Sequence, residues 1–146
     1  MALTQGKNMT EADYRIEPIG VIRSTLVNRT AAPRQGYEGA PEAWLELTPQ
    51  VAQGLVGVSA GDEVIVLTWL HRARRDVLQV HPRGNMEAPL TGVFATRSPD
   101  RPNPVGLHRV SVLDVAGLRV RVAPMEAIDG TPIVDIKPVL PRSADS

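Results

Sequence analysis

Apolar and polar positions alternate along much of this chain, and they do so in short runs. Residues 43–47 (AWLEL), 107–115 (LHRVSVLDV) and 118–123 (LRVRVA) put every second side chain on one apolar face, which predicts half-buried strands. Residues 63–70 (EVIVLTWL) form an apolar, β-branched run typical of a buried strand. Residues 15–24 carry Ile16, Ile19, Val21 and Ile22 around Pro18, which predicts a first or edge strand with a bulge. Val77, Leu78 and Val80 predict a further strand, residues 90–96 another and residues 131–139 (TPIVDIKPV) the last. Ala116-Gly117 and Asp129-Gly130 are turn dipeptides. Thr48 reads as an N-cap with Pro49 at the first helical position, so residues 49–55 predict one short helix. About seven strands and one brief helix predict an all-β barrel or sandwich. The βαβ rhythm and the Gly-x-Gly-x-x-Gly turn of a Rossmann-type cofactor domain are both missing.

Composition narrows this picture. A chain of 146 residues suits one domain, which we expect over residues 15–141, with tails at 1–14 (flexible) and 142–146. Thirteen prolines and twelve glycines fit many turns and few long helices. Cysteine is absent, which excludes a disulfide framework, a thiolate zinc site and a cysteine nucleophile. Residues 1–13 are polar and lack the apolar core of a secretory signal, and no run is long enough to span a bilayer, so a cytoplasmic location is expected. Sixteen basic and sixteen acidic residues balance, which argues against a uniformly basic nucleic-acid binder but leaves room for a local patch. All the basic residues but Lys7 and Lys137 are arginine, the side chain that makes planar, bidentate contacts to phosphate and carboxylate.

Candidate chemistry concentrates in the run Gly92-Val-Phe-Ala-Thr-Arg-Ser-Pro-Asp-Arg-Pro-Asn-Pro-Val-Gly106. Its start reads as a strand and its end as a loop stiffened by Pro99, Pro102 and Pro104. Arg97, Arg101 and Asn103 stand in that loop, so it reads either as a rigid connector or as a preordered holder of an anionic ligand. A second basic segment carries Arg72, Arg74, Arg75 and Arg83. If it were strand, Arg72 and Arg74 would share one face and Arg75 the other. His71, His81 and His108 lack zinc-site spacing, so no metal site is expected. The residues alone favour a boundary role for His71, at the end of a buried strand. A serine nucleophile elbow and a Walker sequence are both absent.

Four segments together resemble the TrmO/YaeB (TsaA-like) family of S-adenosylmethionine-dependent tRNA methyltransferases, in a short form without the C-terminal domain of longer bacterial members. They are Ile19-Gly-Val-Ile-Arg-Ser24, Pro33-Arg-Gln35, the proline loop with its preceding Gly92-Val-Phe-Ala-Thr-Arg-Ser-Pro, and Asp129-Gly-Thr-Pro-Ile-Val-Asp-Ile-Lys-Pro138. The resemblance implies a compact antiparallel β-barrel, a homodimer and S-adenosyl-L-methionine as cofactor. It implies methylation of N6 of threonylcarbamoyl-adenosine, the modified base beside the tRNA anticodon. It carries cofactor contacts onto Pro33, Arg34 and Gln35, His71 and Arg72, Arg97, Leu107, and Ala127, Ile128, Asp129 and Gly130. Arg74, Arg75, Arg83 and Arg101 are then candidates for RNA contact, and Asp129 and His71 candidates for taking the proton from N6. Two positions depart from the family pattern: Gly61-Asp-Glu-Val stands where Ser-His-hydrophobic-Trp usually opens the central strand, and Arg72 follows His71 where many members have Gln. The alternatives are a methyltransferase of the same fold with another acceptor, and a non-catalytic module that binds S-adenosylmethionine or RNA.

Overall fold

The architecture comes from a computed structural model that describes residues 14–28 and 39–141. Its strands are β1 Gly20–Arg23, β2 Ala43–Leu47, β3 Glu63–Trp69, β4 Gln79–Val80, β5 Thr91–Gly92, β6 Val105–Ala116, β7 Arg119–Ala123 and β8 Pro132–Pro138. Six of them close a barrel in the order β1-β2-β7-β6-β3-β8, with every neighbouring pair antiparallel. The expected all-β antiparallel barrel is therefore present, and β4 and β5 form a separate two-stranded ribbon. Closure leaves no barrel strand with an open edge.

The alternation in the sequence decides which side chains fill the barrel. Ala43, Leu45 and Leu47 of β2, Val64 and Val66 of β3, Val110 and Val112 of β6, and Val120 and Val122 of β7 all point inward and are buried. Ile22, Met125, Ala127 and Ile133 complete this core. At one end the inner face turns polar: Thr68 and His108 occupy inward positions and are buried. Thr68 is opposite Gly106 and His108 is opposite Val66, so the two side chains are diagonal neighbours on the inner face. Gly106 makes that approach possible, because a Cβ there would collide with Thr68 Oγ1 and lie 2.8 Å from His108 Nε2.

Several local expectations are corrected. Of residues 15–24 only Gly20–Arg23 is strand, and its ladders run without a register shift; the irregularities fall instead at Leu67/Thr68 in β3–β8 and Val112/Asp114 in β6–β7. The helix Pro49–Leu55 is a 3-10 helix, and the Thr48 side chain makes no cap bond. Residues 90–96 give only Thr91–Gly92 as strand, followed by a 3-10 turn at Val93–Ala95. The two-residue partner β4 offers no longer ladder, and Val93 alone of that turn is buried, while Phe94 is 82% exposed. Arg97 therefore follows a turn rather than ending a strand. Residues 71–78 are turns, bends and irregular chain without strand, so the strand-like alternation of Arg72, Arg74 and Arg75 does not arise.

Candidate functional site

Antiparallel pairing of β3 with β6 sets the chain leaving Trp69 beside the chain entering at Val105. The Leu70 N–H donates to the Pro104 carbonyl at 2.8 Å, which ties the basic segment to the proline loop. Thr68 pairs with Ile133 of β8, so the loop before β8 reaches the same end of the barrel. A concavity of about 1500 Å³ opens there, lined by residues 70–73, 80–84, 95–101, 103, 105–108, 126–128 and 131.

His71, Arg72, Arg97, Leu107, Ala127 and Ile128 meet around this space, although they come from four separate stretches of chain. Arg83 and Arg101 join them. Asp129 and Gly130 do not line it. The Asp129 carboxylate accepts the Ser24 N–H at 3.0 Å and lies 3.8 Å from the Arg23 guanidinium. Gly130, with φ of 86°, donates its N–H to the Ile22 carbonyl at 2.7 Å, a left-handed conformation that glycine adopts without strain. Pro33, Arg34 and Gln35 lie outside the described residues.

The proline loop is braced. Arg75 Nε donates to the Pro102 carbonyl at 2.7 Å, Arg75 Nη2 donates to Asn103 Oδ1 at 2.9 Å, and the guanidinium lies 5.1 Å from the Trp69 ring centroid. Asp100 accepts the Arg74 N–H at 2.8 Å, and the Arg101 N–H donates to the Arg74 carbonyl at 3.0 Å. Arg101 Nη1 donates to the carbonyls of Thr96 and Ser98 at 3.1 and 2.8 Å. The Arg74 side chain pairs with Asp76 at 3.1 Å, outside the concavity. Arg75 and Arg101 thus hold loop carbonyls in place, whereas Arg97 is exposed and has no ion-pair or hydrogen-bond partner among the described residues.

Arginines 72, 83, 97 and 101 outnumber the two carboxylates of the lining, Asp100 and Glu126, so the wall favours an anionic group. Leu107, Ala127 and Ile128 add apolar surface. Loss of hydration where the His71 ring meets the wall, and then the adjacent Arg72 charge, hold the imidazole below its ordinary pKa. Both causes favour the neutral ring, which offers one N–H donor and one acceptor nitrogen.

The sequence pattern weighs His108 only against zinc-site spacing, which it lacks, and gives Thr68 and Glu126 no mark at all. These three form a hydrogen-bonded chain beneath the concavity, with Thr68 Oγ1 2.7 Å from His108 Nε2 and His108 Nδ1 2.8 Å from Glu126 Oε2. One signal was legible: His108 shares the inward face of its alternating strand with Val110 and Val112. Glu126 stands in an irregular segment, where no periodicity marks it. Among the described residues no group of His, Cys, Asp or Glu could hold a metal ion.

The chain has relatives of known name. An S-adenosyl-L-methionine-binding protein of Archaeoglobus fulgidus is 40% identical over 127 residues, which are 87% of this chain and 90% of that protein. A probable S-adenosyl-L-methionine-binding protein of Methanothermobacter thermautotrophicus is 42% identical over 130 residues, covering 89% of this chain and 93% of its own. The crystal structure of TrmO from Pseudomonas aeruginosa superposes with a TM-score of 0.69 at 32% identity over 89% of this chain. This chain spans 57% of that TrmO chain, and 60% in a second TrmO structure, where the TM-score is 0.71. The model of the tRNA-methyltransferase O N-terminal domain matches residues 21–146. With that match over most of its length, the chain belongs to the tRNA-methyltransferase O N-terminal domain family.

Proposed function

We propose that this protein is an S-adenosyl-L-methionine-dependent tRNA methyltransferase that methylates N6 of threonylcarbamoyl-adenosine. The observation that carries the reading is the convergence of His71, Arg72, Arg97, Leu107, Ala127 and Ile128 on one concavity. The residues suit the cofactor. Arg72 and Arg97 offer planar donors to its carboxylate, and Leu107, Ala127 and Ile128 offer apolar surface to its adenine. At about 1500 Å³ the space exceeds the roughly 300–1,000 Å³ of a usual small-molecule site, which leaves room for an acceptor base beside the cofactor. When bound, the cofactor supplies a methyl group on a positively charged sulfur. The protein's part is to hold the acceptor nitrogen in line with that methyl carbon, and a braced proline loop is suited to positioning of this kind.

Arg83 and Arg101 at the concavity and Arg74 on the adjacent surface are the groups for RNA phosphates in this reading. Pro33, Arg34 and Gln35 remain cofactor contacts by resemblance. Asp129 and Gly130 contribute through the loop they fix rather than through side chains in the space. A homodimer belongs to the same reading and is supported by exposed Leu78, Met86, Leu90 and Phe94 around β4 and β5, with sedimentation equilibrium as its check. A cytoplasmic location follows from action on tRNA, and fractionation of cells expressing a tagged chain tests it. No described helix is long and apolar enough to cross a membrane.

The deciding experiment incubates the protein with labelled S-adenosylmethionine and total tRNA, with and without the threonylcarbamoyl modification, followed by nucleoside mass spectrometry. Label should enter only the modified pool, in N6-methylated threonylcarbamoyl-adenosine. Cofactor binding without transfer to either pool would replace the enzyme by a non-catalytic binding module, and transfer to another nucleoside would keep the enzyme and change the acceptor.

A further inference from the structure

Three polar groups lie end to end beneath the concavity. Thr68 is 0% exposed, His108 4% and the Glu126 side chain 13%; His108 and Glu126 reach the lining. A buried donor left without an acceptor costs about 1–3 kcal/mol, so each hydrogen in the chain needs a destination. The Thr68 hydroxyl has one acceptor among the described residues, His108 Nε2. Nε2 therefore carries the lone pair, and Nδ1 carries the proton and donates it to Glu126. Glu126 Oε2 is thereby occupied. Its other oxygen, Oε1, has no hydrogen-bond partner among the described residues and is left for a donor that enters the concavity.

We propose that Glu126 is the catalytic acceptor of the proton that leaves the methylated nitrogen, with His108 and Thr68 as positioning residues behind it. The inference rests on the methyltransferase reading above. The acceptor nitrogen is of urea type: its lone pair is delocalised and it bears one hydrogen, so attack is assisted by taking that hydrogen away. The nitrogen lone pair forms the N–C bond, and the S–C bonding pair passes to sulfur, which becomes a neutral thioether. The N–H bonding pair stays on nitrogen as the proton moves to Glu126 Oε1. Glu126 becomes a neutral carboxylic acid and later returns the proton to water. His108 keeps its Nδ1 proton and Thr68 its hydroxyl hydrogen throughout. Their task is to fix the plane of the carboxylate, as the third member of a triad orients its base. This assignment takes the proton away from His71 and from Asp129, whose carboxylate is held by Ser24.

The test uses Glu126→Gln, which keeps the size of the side chain and an oxygen for His108 but removes the base. Single-turnover transfer to threonylcarbamoylated tRNA should fall by about 100-fold or more. The S-adenosylmethionine Kd, measured by calorimetry, should stay within about twofold, as expected for an interaction made only in the transition state. Nitrogen NMR of the wild-type imidazoles, which needs no cofactor, should show His108 protonated on Nδ1 and bare on Nε2. Thr68→Val should shift the His108 Nε2 resonance and slow transfer several-fold with the Kd unchanged. Wild-type rates in Glu126→Gln would overturn the proposal, and so would a proton on His108 Nε2 or a loss of cofactor binding that accounts for the lost rate. Wild-type protein that transfers nothing to either tRNA pool overturns the methyltransferase reading and this step with it. An active wild type with an equally active Glu126→Gln overturns the Glu126 assignment alone.

Discussion

The ionisation of His71 is set by two causes that a single substitution separates. Loss of hydration is the larger and the Arg72 charge the smaller, and both favour the neutral ring. The folded-state pKa is thus below the unfolded value of about 6.5, and the folded protein binds fewer protons here than the unfolded chain. The resulting stability is fully present above the unfolded value and is lost as pH falls through the folded one. In Arg72→Gln the His71 pKa should rise yet stay below about 6.5, because the burial contribution remains. A proton NMR titration of the ring reads this directly, and an unmoved value would contradict the Arg72 contribution. His71 was legible in the sequence as the polar residue that stops an apolar run. Glu126 was not, because its meaning depends on a hydrogen bond from an irregular segment to a residue eighteen positions away on β6.

Among elements, the long alternating runs were the legible ones. β2, β3, β6 and β7 fall where the pattern put them, since each has an apolar face that only the barrel interior can bury. Short apolar clusters misled. Val77, Leu78 and Val80 looked like strand, but with no barrel edge to pair with, only Gln79–Val80 extends, against Thr91–Gly92. Turns take the rest, and side chains supply the ties that a ladder would have made. Arg75 is the clearest case, joining the Trp69 ring at the end of β3 to the Pro102 carbonyl and the Asn103 amide. An exposed cation–π contact contributes about 0.5–1 kcal/mol and each hydrogen bond a similar amount, so this brace acts locally rather than on the whole fold. Arg75→Ala should speed hydrogen exchange of the Arg101 N–H, which is bonded to the Arg74 carbonyl, and leave the barrel strands protected. Exchange mass spectrometry of the proline loop checks this; unchanged rates there would mean the prolines alone hold the loop.

At the scale of the whole molecule, the barrel closes at its narrowest seam. β1 meets β8 at only two residue pairs, Gly20 with Ile133 and Val21 with Pro132. The loop before β8 reinforces that seam: the Asp129 N–H donates to the Leu26 carbonyl, the Gly130 N–H to the Ile22 carbonyl, and the Asp129 carboxylate accepts the Ser24 N–H. The same loop begins with Ala127 and Ile128 in the wall of the concavity, so barrel closure and site shape share one set of hydrogen bonds. Two roles for Asp129 then make opposite demands. A proton acceptor needs the negative charge, whereas a clamp needs an oxygen at Oδ1. Asp129→Asn keeps that oxygen and should keep most of the stability, the cofactor affinity and the rate of methyl transfer. Asp129→Ala leaves the part-buried Ser24 N–H without its acceptor, which costs about 1–3 kcal/mol. Its urea midpoint should fall and cofactor affinity weaken with it, because the wall carrying Ala127 and Ile128 loosens together with the seam. If the Asp129→Asn protein bound cofactor normally but transferred no methyl group, Asp129 would be the proton acceptor and the clamp would be secondary.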